Sequence, residues 1–138
     1  MNKVIEKVIY GIKGYYPVKI GEQELKGDNT HMFFWRIVNR GGFEPEFYRM
    51  LDKYLNKNAV YCDIGAWIGP TALYASRISK TVHAFEPDNI AYKFLLHNID
   101  KNNLENIITH NTAISTENGF IKMASHGSKP GDSMSSMV

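Results

Sequence analysis

The chain has 138 residues, and its 16 Lys plus Arg against 14 Asp plus Glu leave a formal net charge of +2. That length favours one domain with a modest core, and the near-neutral balance lacks the clustered basic excess of proteins that bind nucleic acid. Hydrophobic residues make up 43% and charged residues 22% of the chain, which excludes collagen, coiled coils and wholesale disorder. We therefore expect a globular protein with no nucleic-acid partner.

The cysteine and histidine content bears on compartment and metal binding. A single cysteine, Cys62, excludes an internal disulfide and a multi-cysteine zinc cage, which fits a reducing compartment. The five histidines lack the close spacing of metal ligands, so no metal is expected. Charges interrupt the first apolar stretch, so no signal peptide is expected there, and no apolar run is long enough to span a membrane. We expect a cytoplasmic protein without a membrane span.

Before residue 45 the pattern predicts a helix, a hairpin and an aromatic stretch. Apolar residues at near-helical spacing predict a first helix that ends near Gly11 or Gly14. We expect this helix to pack against its own domain; a dimerisation or membrane-surface role is the alternative. Alternating runs at Tyr16–Ile20 and Gln23–Lys26 predict a β-hairpin. The aromatic stretch Met32–Trp35 is expected to fill core rather than to line an acceptor pocket.

From Pro45 onward, helical and strand patterns alternate. Between Ala59 and Ile114 the order strand–helix–strand–helix–strand predicts an α/β fold with parallel pairing and right-handed crossovers. Cys62 lies in the first of these strands and is expected to be buried and inert. The predicted elements are helices over 45–56, over 70–79 and after the cap residue Asp88, and strands over 59–64, 81–85, 107–114 and 119–123.

These patterns divide the chain into three parts. Residues 1–44 form an extension made of a helix and a hairpin, and residues 45–123 form a partial α/β domain. Residues 124–138 are rich in Ser and Gly and lack periodicity, so a flexible tail is predicted there.

The most informative segment is the loop that joins the first strand of the alternation to the next helix. Gly65, directly after the strand, lets the backbone turn sharply and lets a ligand approach without a Cβ in the way. The helix that follows Gly69 presents unpaired N–H groups and partial positive charge at its first turn. Such a turn can hold a carboxylate or a pyrophosphate.

Glu86 ends the next strand, 21 positions after Gly65. At this offset in a βαβ unit, an acidic side chain reaches the ribose hydroxyls of a nucleoside cofactor, and a carboxylate can accept from both hydroxyls. The structural alternative is that Glu86 caps the following helix, although Asp88 is the better cap. For the loop from Gly65 to Gly69, the structural alternative to a ligand site is an ordinary tight turn between strand and helix.

The residues within the loop bear on which nucleotide is bound. Trp67 stands where the dinucleotide fingerprint has its second glycine, and an indole there would obstruct a pyrophosphate. Asp63, just before the loop, suits a ligand with an ammonium and a sulfonium group. S-adenosylmethionine (SAM) has both groups together with a ribose, so it fits better than NAD.

At the level of motifs, about half of the chain resembles the FkbM family of class I SAM-dependent methyltransferases. The resemblance implies a Rossmann-like three-layer methyltransferase fold with a partial parallel sheet, with residues 45–123 as its SAM-binding part. The matching stretches are Val60–Gly69, Ala84–Pro87, His97–Leu104 and Asn111–Ser115, with Gly42–Glu46 as lead-in.

The resemblance also implies roles for particular residues. The SAM loop would consist of Asp63, Gly65, Ala66 and Gly69, while Glu86 would hold the ribose. The adenine would lie beside Asn111, Thr112 and Ala113, and Glu44 would approach the methionine end of the cofactor. No residue is identified as the catalytic base.

For function, the resemblance implies SAM-dependent O-methylation of a small molecule or sugar. Family members continue into a further strand with a Lys-x-Asp-x-Glu-Gly type motif, which this sequence lacks. The chain is therefore expected to be truncated after its N-terminal half, to receive the missing half from a partner, or to be a remnant that no longer catalyses. In each case its sheet edge is exposed, and a homo-oligomer could cover it. The alternatives are a non-catalytic nucleoside-binding or interaction module and, less favoured, an NAD-binding oxidoreductase domain.

Overall fold

The computed structural model describes residues 3–120, 123–125 and 135–137. Its first half contains a helix, a hairpin and two further helices, and its second half contains the strand–helix alternation. In chain order the elements are α1 (Lys3–Lys13), β1 (Tyr16–Ile20), β2 (Gln23–Gly27), α2 (Met32–Asn39), α3 (Pro45–Tyr54), β3 (Val60–Ile64), α4 (Pro70–Ile78), β4 (Thr81–Phe85), α5 (Asn89–Lys101), β5 (Ile107–His110), β6 (Met123–Ser125) and β7 (Ser135–Met137).

The central sheet is parallel, with the strand order β3-β4-β5. Ile64 pairs with Phe85, and Phe85 pairs with His110, so all three strands end at the same level. The loops that follow β3, β4 and β5 consequently meet at one edge of the sheet. The α/β fold and the parallel pairing predicted from the sequence are confirmed.

The N-terminal hairpin shares its core with the α/β unit. Alternate residues of β1 and β2, among them Val18 and Leu25, are buried, as the two-residue period of a strand predicts. They belong to the same apolar cluster as Leu73 of α4 and Leu95 of α5. The hairpin therefore buries one face against the α/β unit.

One face of the central sheet is exposed in the described part of the chain. In β3, Val60 and Ile64 are 59% and 67% exposed, whereas Asp63 is buried. Cys62 lies on the same face as Val60 and is also exposed. The prediction of a buried Cys62 is therefore wrong, because successive side chains of a strand point to opposite faces and Cys62 lies on the exposed face with Val60 and Ile64.

Helix α1 ends near Gly14 and packs against its own domain, as predicted, but it does so through its polar side. Glu6 is buried, and its carboxylate accepts from Nη2 of Arg36 on α2 at 2.6 Å. Ile5, Val8 and Ile12 are 53%, 56% and 85% exposed. The helix thus meets its domain through a polar side and presents its apolar side outward.

Four further segments differ from what the sequence predicted or fall partly outside the described residues. The aromatic stretch Met32–Trp35, for which no element was predicted, lies in α2, and β5 ends at His110 instead of near Ile114. The strand predicted over 119–123 includes residues 121 and 122, which lie outside the described ranges. In the segment predicted to be a tail, the structure describes β6 and β7, which pair antiparallel.

No described helix is both long enough and apolar enough to cross a membrane.

Replacing Gly69 by Ala should destabilise the fold far more than the same change at Gly65. Both glycines have left-handed φ angles, +93° and +82°, but a Cβ on Gly69 would lie 2.6 Å from Cδ1 of buried Leu95, whereas a Cβ on Gly65 would meet nothing within 4 Å. We expect losses in the free energy of unfolding of about 3 kcal/mol and about 1 kcal/mol, respectively, measured by urea denaturation. Equal losses would contradict the packing role of Gly69.

Candidate functional site

The predicted site residues gather where β3, β4 and β5 end. Directly after β3, the N–H groups of Gly65 and Ala66 both donate to the carbonyl oxygen of Phe85, at 2.9 Å each. These two bonds fold the loop onto the end of β4. The loop then enters α4 at Gly69, whose amide donates to the carbonyl of Ala66 at 2.8 Å.

Glu86 fastens this edge of the sheet through both carboxylate oxygens. Oε2 accepts from the backbone N–H of Trp67 at 2.8 Å, and Oε1 accepts from that of Asp88 at 2.7 Å. Burial raises the pKa of Glu86, and these two N–H groups only partly oppose it. Each oxygen keeps a second lone pair, so the structural role of Glu86 leaves acceptor capacity for a ligand.

Asp88 takes the capping role that the sequence assigned to it. Its Oδ1 accepts from the N–H groups of Ile90 and Ala91 at 2.8 and 2.9 Å, which satisfies two donors of the first turn of α5. Glu86 is therefore not needed as the side-chain cap of that helix.

Asp63 is the least satisfied carboxylate among the described residues of this edge. Its Oδ2 is buried and has no hydrogen-bond partner. Burial raises the pKa of Asp63 to about 6, with a backbone hydrogen bond from Ala72 opposing the shift and the charges of Glu44 and Glu86 adding to it. A buried carboxylate oxygen without a partner is rare in folded proteins, and it is ready to accept a donor or a cation.

The surroundings of Asp63 are acidic and phenolic. Burial, followed by the negative charges of Glu44 and Asp63, raises the pKa of Tyr48. Burial also raises the pKa of Tyr61, with further contributions from Asp63 and Glu44. Glu44 itself is exposed, in a left-handed conformation (φ +43°) just before α3. This end of the sheet therefore favours a positively charged group.

Gly65 and Gly69 differ in what surrounds them. The space where a Gly65 side chain would stand is open, whereas Gly69 is in contact with Leu95 of α5. Gly65 is therefore suited to close approach by a ligand, while Gly69 sets how the loop packs on α5. Ala66, within the loop, is buried.

The Trp67 indole lies against rings of the N-terminal extension. Its centroid is 4.7 Å from that of Phe34 and 5.4 Å from that of His31, both in edge-on contact. Because this ring is occupied with packing, the case against a pyrophosphate depends on the charge of Asp63 rather than on the size of Trp67.

A cavity of about 530 Å³ opens beyond the end of β5, next to the strand end that carries Glu86. It is lined by the three residues predicted to lie beside a base, Asn111, Thr112 and Ala113. Nδ2 of Asn111 donates to the backbone oxygen of Glu86 at 2.8 Å, which ties the cavity wall to the end of β4. A cavity of this volume can accommodate a planar heterocycle.

Asn98 is a site-supporting residue that the sequence pattern did not reveal. It is fully buried on α5, and its Nδ2 donates to the carbonyl oxygen of Ile68 within the loop at 2.8 Å. A single asparagine inside a helical pattern carries no periodic signal of such a contact. Among the described residues, no three His, Cys, Asp or Glu side chains converge as metal ligands.

Comparison with solved structures of similar fold identifies the architecture. TYW2 of M. jannaschii in complex with AdoMet is 26% identical with a TM-score of 0.50, covering 70% of this chain and 42% of its own. A protein of Pyrococcus horikoshii described as a transferase is 22% identical with a TM-score of 0.53, covering 72% of this chain and 37% of its own. The complex of aTrm5 with tRNALeu is 24% identical with a TM-score of 0.52, covering 72% of this chain and 28% of its own.

These comparisons show that the chain has the Rossmann-like fold of class I methyltransferases. It spans less than half the length of each of the three proteins. No protein-family model matches the sequence, and no curated protein matches it.

The prediction of a small-molecule or sugar acceptor with no nucleic-acid partner is wrong. It is overturned by the complex of aTrm5 with tRNALeu, which has this fold and holds a nucleic acid. The formal net charge is an average over the chain and does not report where the cations lie. In the structure, Lys19, Lys26 and Arg77 line one groove of about 700 Å³.

Replacing Asp63 by Asn should stabilise the protein at neutral pH. Because the pKa of Asp63 rises from 3.8 to about 6 on folding, the folded state binds its proton more tightly, and stability falls as pH increases through this interval. We expect Asp63→Asn to raise the free energy of unfolding by about 2 kcal/mol near neutral pH and hardly at all near pH 4. Urea denaturation at the two pH values measures this.

The matched control is Asp100→Asn, which changes an exposed carboxylate on α5. It should leave the pH dependence of stability unchanged. An Asp63→Asn protein with the same pH profile as the original chain would show that Asp63 is not a strained anion.

Proposed function

We propose that this chain binds SAM where β3, β4 and β5 end, as the cofactor-binding part of a SAM-dependent methyltransferase. Two observations carry the proposal: Oδ2 of Asp63 is buried and has no hydrogen-bond partner, and the space where a Gly65 side chain would stand, two positions further along the chain, is open. The complex of TYW2 with AdoMet supports the choice of cofactor, since that protein shares the fold.

The residues fit the parts of this cofactor. Asp63 would accept from the ammonium group, and the remaining lone pairs of Glu86 would accept from the ribose hydroxyls. Gly65 and Ala66 would form the floor on which the cofactor rests, while Gly69 holds the loop against α5. The residues proposed to surround the adenine are Asn111, Thr112 and Ala113.

The chemistry that SAM supplies when bound is a methyl group made electrophilic by the sulfonium. The contribution of this chain is to bind and orient, which for in-line displacement can be the larger part of the rate enhancement. Asp63 and Glu44 provide the negative field that favours a cationic ligand, and Glu86 holds the loop and the ribose in one arrangement. No described side chain is assigned as a base.

The acceptor class that we propose is RNA. The complex of aTrm5 with tRNALeu supports it, as does the groove that contains Tyr15 and is lined by three cations, Lys19, Lys26 and Arg77, against one acidic residue, Glu24. Lysine and arginine side chains bind phosphates, and an aromatic ring can stack on a base. Membership of the FkbM family and transfer to an oxygen atom stay predictions from the sequence motifs.

Calorimetric titration with S-adenosylhomocysteine tests the cofactor site. We expect saturable binding that weakens at least about tenfold in Asp63→Asn and in Glu86→Gln, since each loses one charge-assisted hydrogen bond. Because the pKa of Asp63 is raised to about 6, affinity should increase as pH rises through that value and the carboxylate ionises. Asp63→Asn should abolish this pH dependence.

Two controls separate loss of the site from loss of the fold. Glu105→Gln changes an exposed carboxylate and should bind like the original chain. Gly65→Ala should stay folded yet bind weakly, because its methyl group enters the open space. Absence of binding by a chain with a cooperative unfolding transition would refute the proposed cofactor site, and stronger binding of NAD would favour an oxidoreductase domain.

The proposed RNA contact predicts an effect of charge reversal in the groove. Lys19→Glu combined with Arg77→Glu should weaken binding of a fluorescent tRNA transcript several-fold. It should also reduce the slope of log affinity against log salt concentration by roughly one per substituted residue, since each removes one phosphate contact. Lys53→Glu, an exposed lysine on α3 outside the groove, is the control. Equal effects of the groove and control variants would remove the groove from the proposal.

A further inference from the structure

The first helix is attached to the domain by polar and aromatic contacts. Its Glu6 pairs with Arg36 at 2.6 Å, and the ring of Tyr10 meets that of Tyr16 edge-on at 4.8 Å. The carbonyl oxygen of Tyr10 also accepts from Nδ2 of Asn29 at 2.7 Å. Glu6 and Tyr10 are four positions apart, so one side of α1 makes all of these contacts.

The opposite side of α1 is aliphatic and exposed. Ile5, Val8, Ile9 and Ile12 are 53%, 56%, 36% and 85% exposed. At 100° per residue these four side chains cover one continuous arc of about 100°, pointing away from Glu6. Single exposed apolar residues are common, but a continuous helical stripe of this kind marks an interaction surface.

The charges on α1 select the kind of surface that it fits. Its acidic residue, Glu6, is buried against Arg36, whereas Lys7 and Lys13 are exposed. On the helical projection, Lys13 lies about 40° beyond the Ile9 edge of the stripe, and Lys7 lies about 100° beyond its Val8 edge. A helix whose exposed charges are lysines matches the headgroup layer of an anionic bilayer, with the aliphatic groups of the stripe reaching the acyl boundary.

We propose that α1 is an interfacial helix that docks the protein on an anionic membrane surface through Ile5, Val8, Ile9 and Ile12. Eleven residues of helix extend about 16 Å, well short of a bilayer span, so the helix lies in the plane of the interface. The attachment of Glu6 to Arg36 keeps the stripe pointing outward in the folded protein. Binding through one short helix is weak and reversible.

Vesicle flotation tests this proposal. The full chain should float with phosphatidylcholine–phosphatidylglycerol vesicles and several-fold less with phosphatidylcholine vesicles, and added salt should release it. Ile12→Asp should reduce the floated fraction about tenfold, since it places a charge in the stripe. Lys7→Glu with Lys13→Glu should remove the preference for the anionic vesicles.

Ile114→Asp is the matched control, because it makes the same change at an isoleucine that is 51% exposed outside α1. It should float like the original chain, and circular dichroism should show that every variant is folded. Equal flotation of the Ile12→Asp and Ile114→Asp proteins overturns the proposal. So does a dimer in sedimentation that Ile12→Asp dissociates without any vesicle binding, which would assign the stripe to a second copy.

Discussion

The position of the loop at residues 65–69 depends on a buried carboxylate outside the α/β unit, Asp28. It is 2% exposed and accepts from the backbone of His31 at 2.9 Å and the indole of Trp35 at 3.2 Å. Burial raises its pKa, but the hydrogen bonds and charge of His31, with the bond from Trp35, bring the pKa below its usual value. Asn98 lies 3.4 Å from Asp28 and donates to Ile68 of the loop, so the hairpin extension and the loop share one polar network.

Asp28 and Asp63 carry the same side chain but affect the stability of the fold in opposite directions. Both are buried, but Asp28 is surrounded by donors, whereas Asp63 keeps Oδ2 unpaired beside two other carboxylates. The first favours the folded state as an anion, and the second opposes it at neutral pH. Strain of the second kind persists where the rest of the structure holds it in place, which is common at ligand sites.

The α/β unit and its edge could be predicted because their signals are local. Strand runs end at Gly65 and Glu86, and Asp88 has the cap position that its short side chain favours. Helix α2 was missed because its residues favour a helix only weakly, and its geometry depends on Asp28 and on the burial of Trp35. The exposure of Cys62 was missed because the alternation of side chains along a strand assigns residues to two faces but does not indicate which face the rest of the protein covers.

The same limit explains α1. Periodicity placed Ile5, Val8 and Ile12 on one side correctly, but the general rule that apolar sides face inward does not hold for this helix. What decides the orientation is Arg36 on another helix, since a buried Glu6 without that guanidinium would carry a large desolvation cost. An ion pair between residues far apart in the sequence cannot be predicted from the spacing of apolar residues in one helix. The exposure of the aliphatic stripe therefore follows from tertiary structure. Together with the exposed lysines of α1, this stripe forms the surface that we propose binds the membrane.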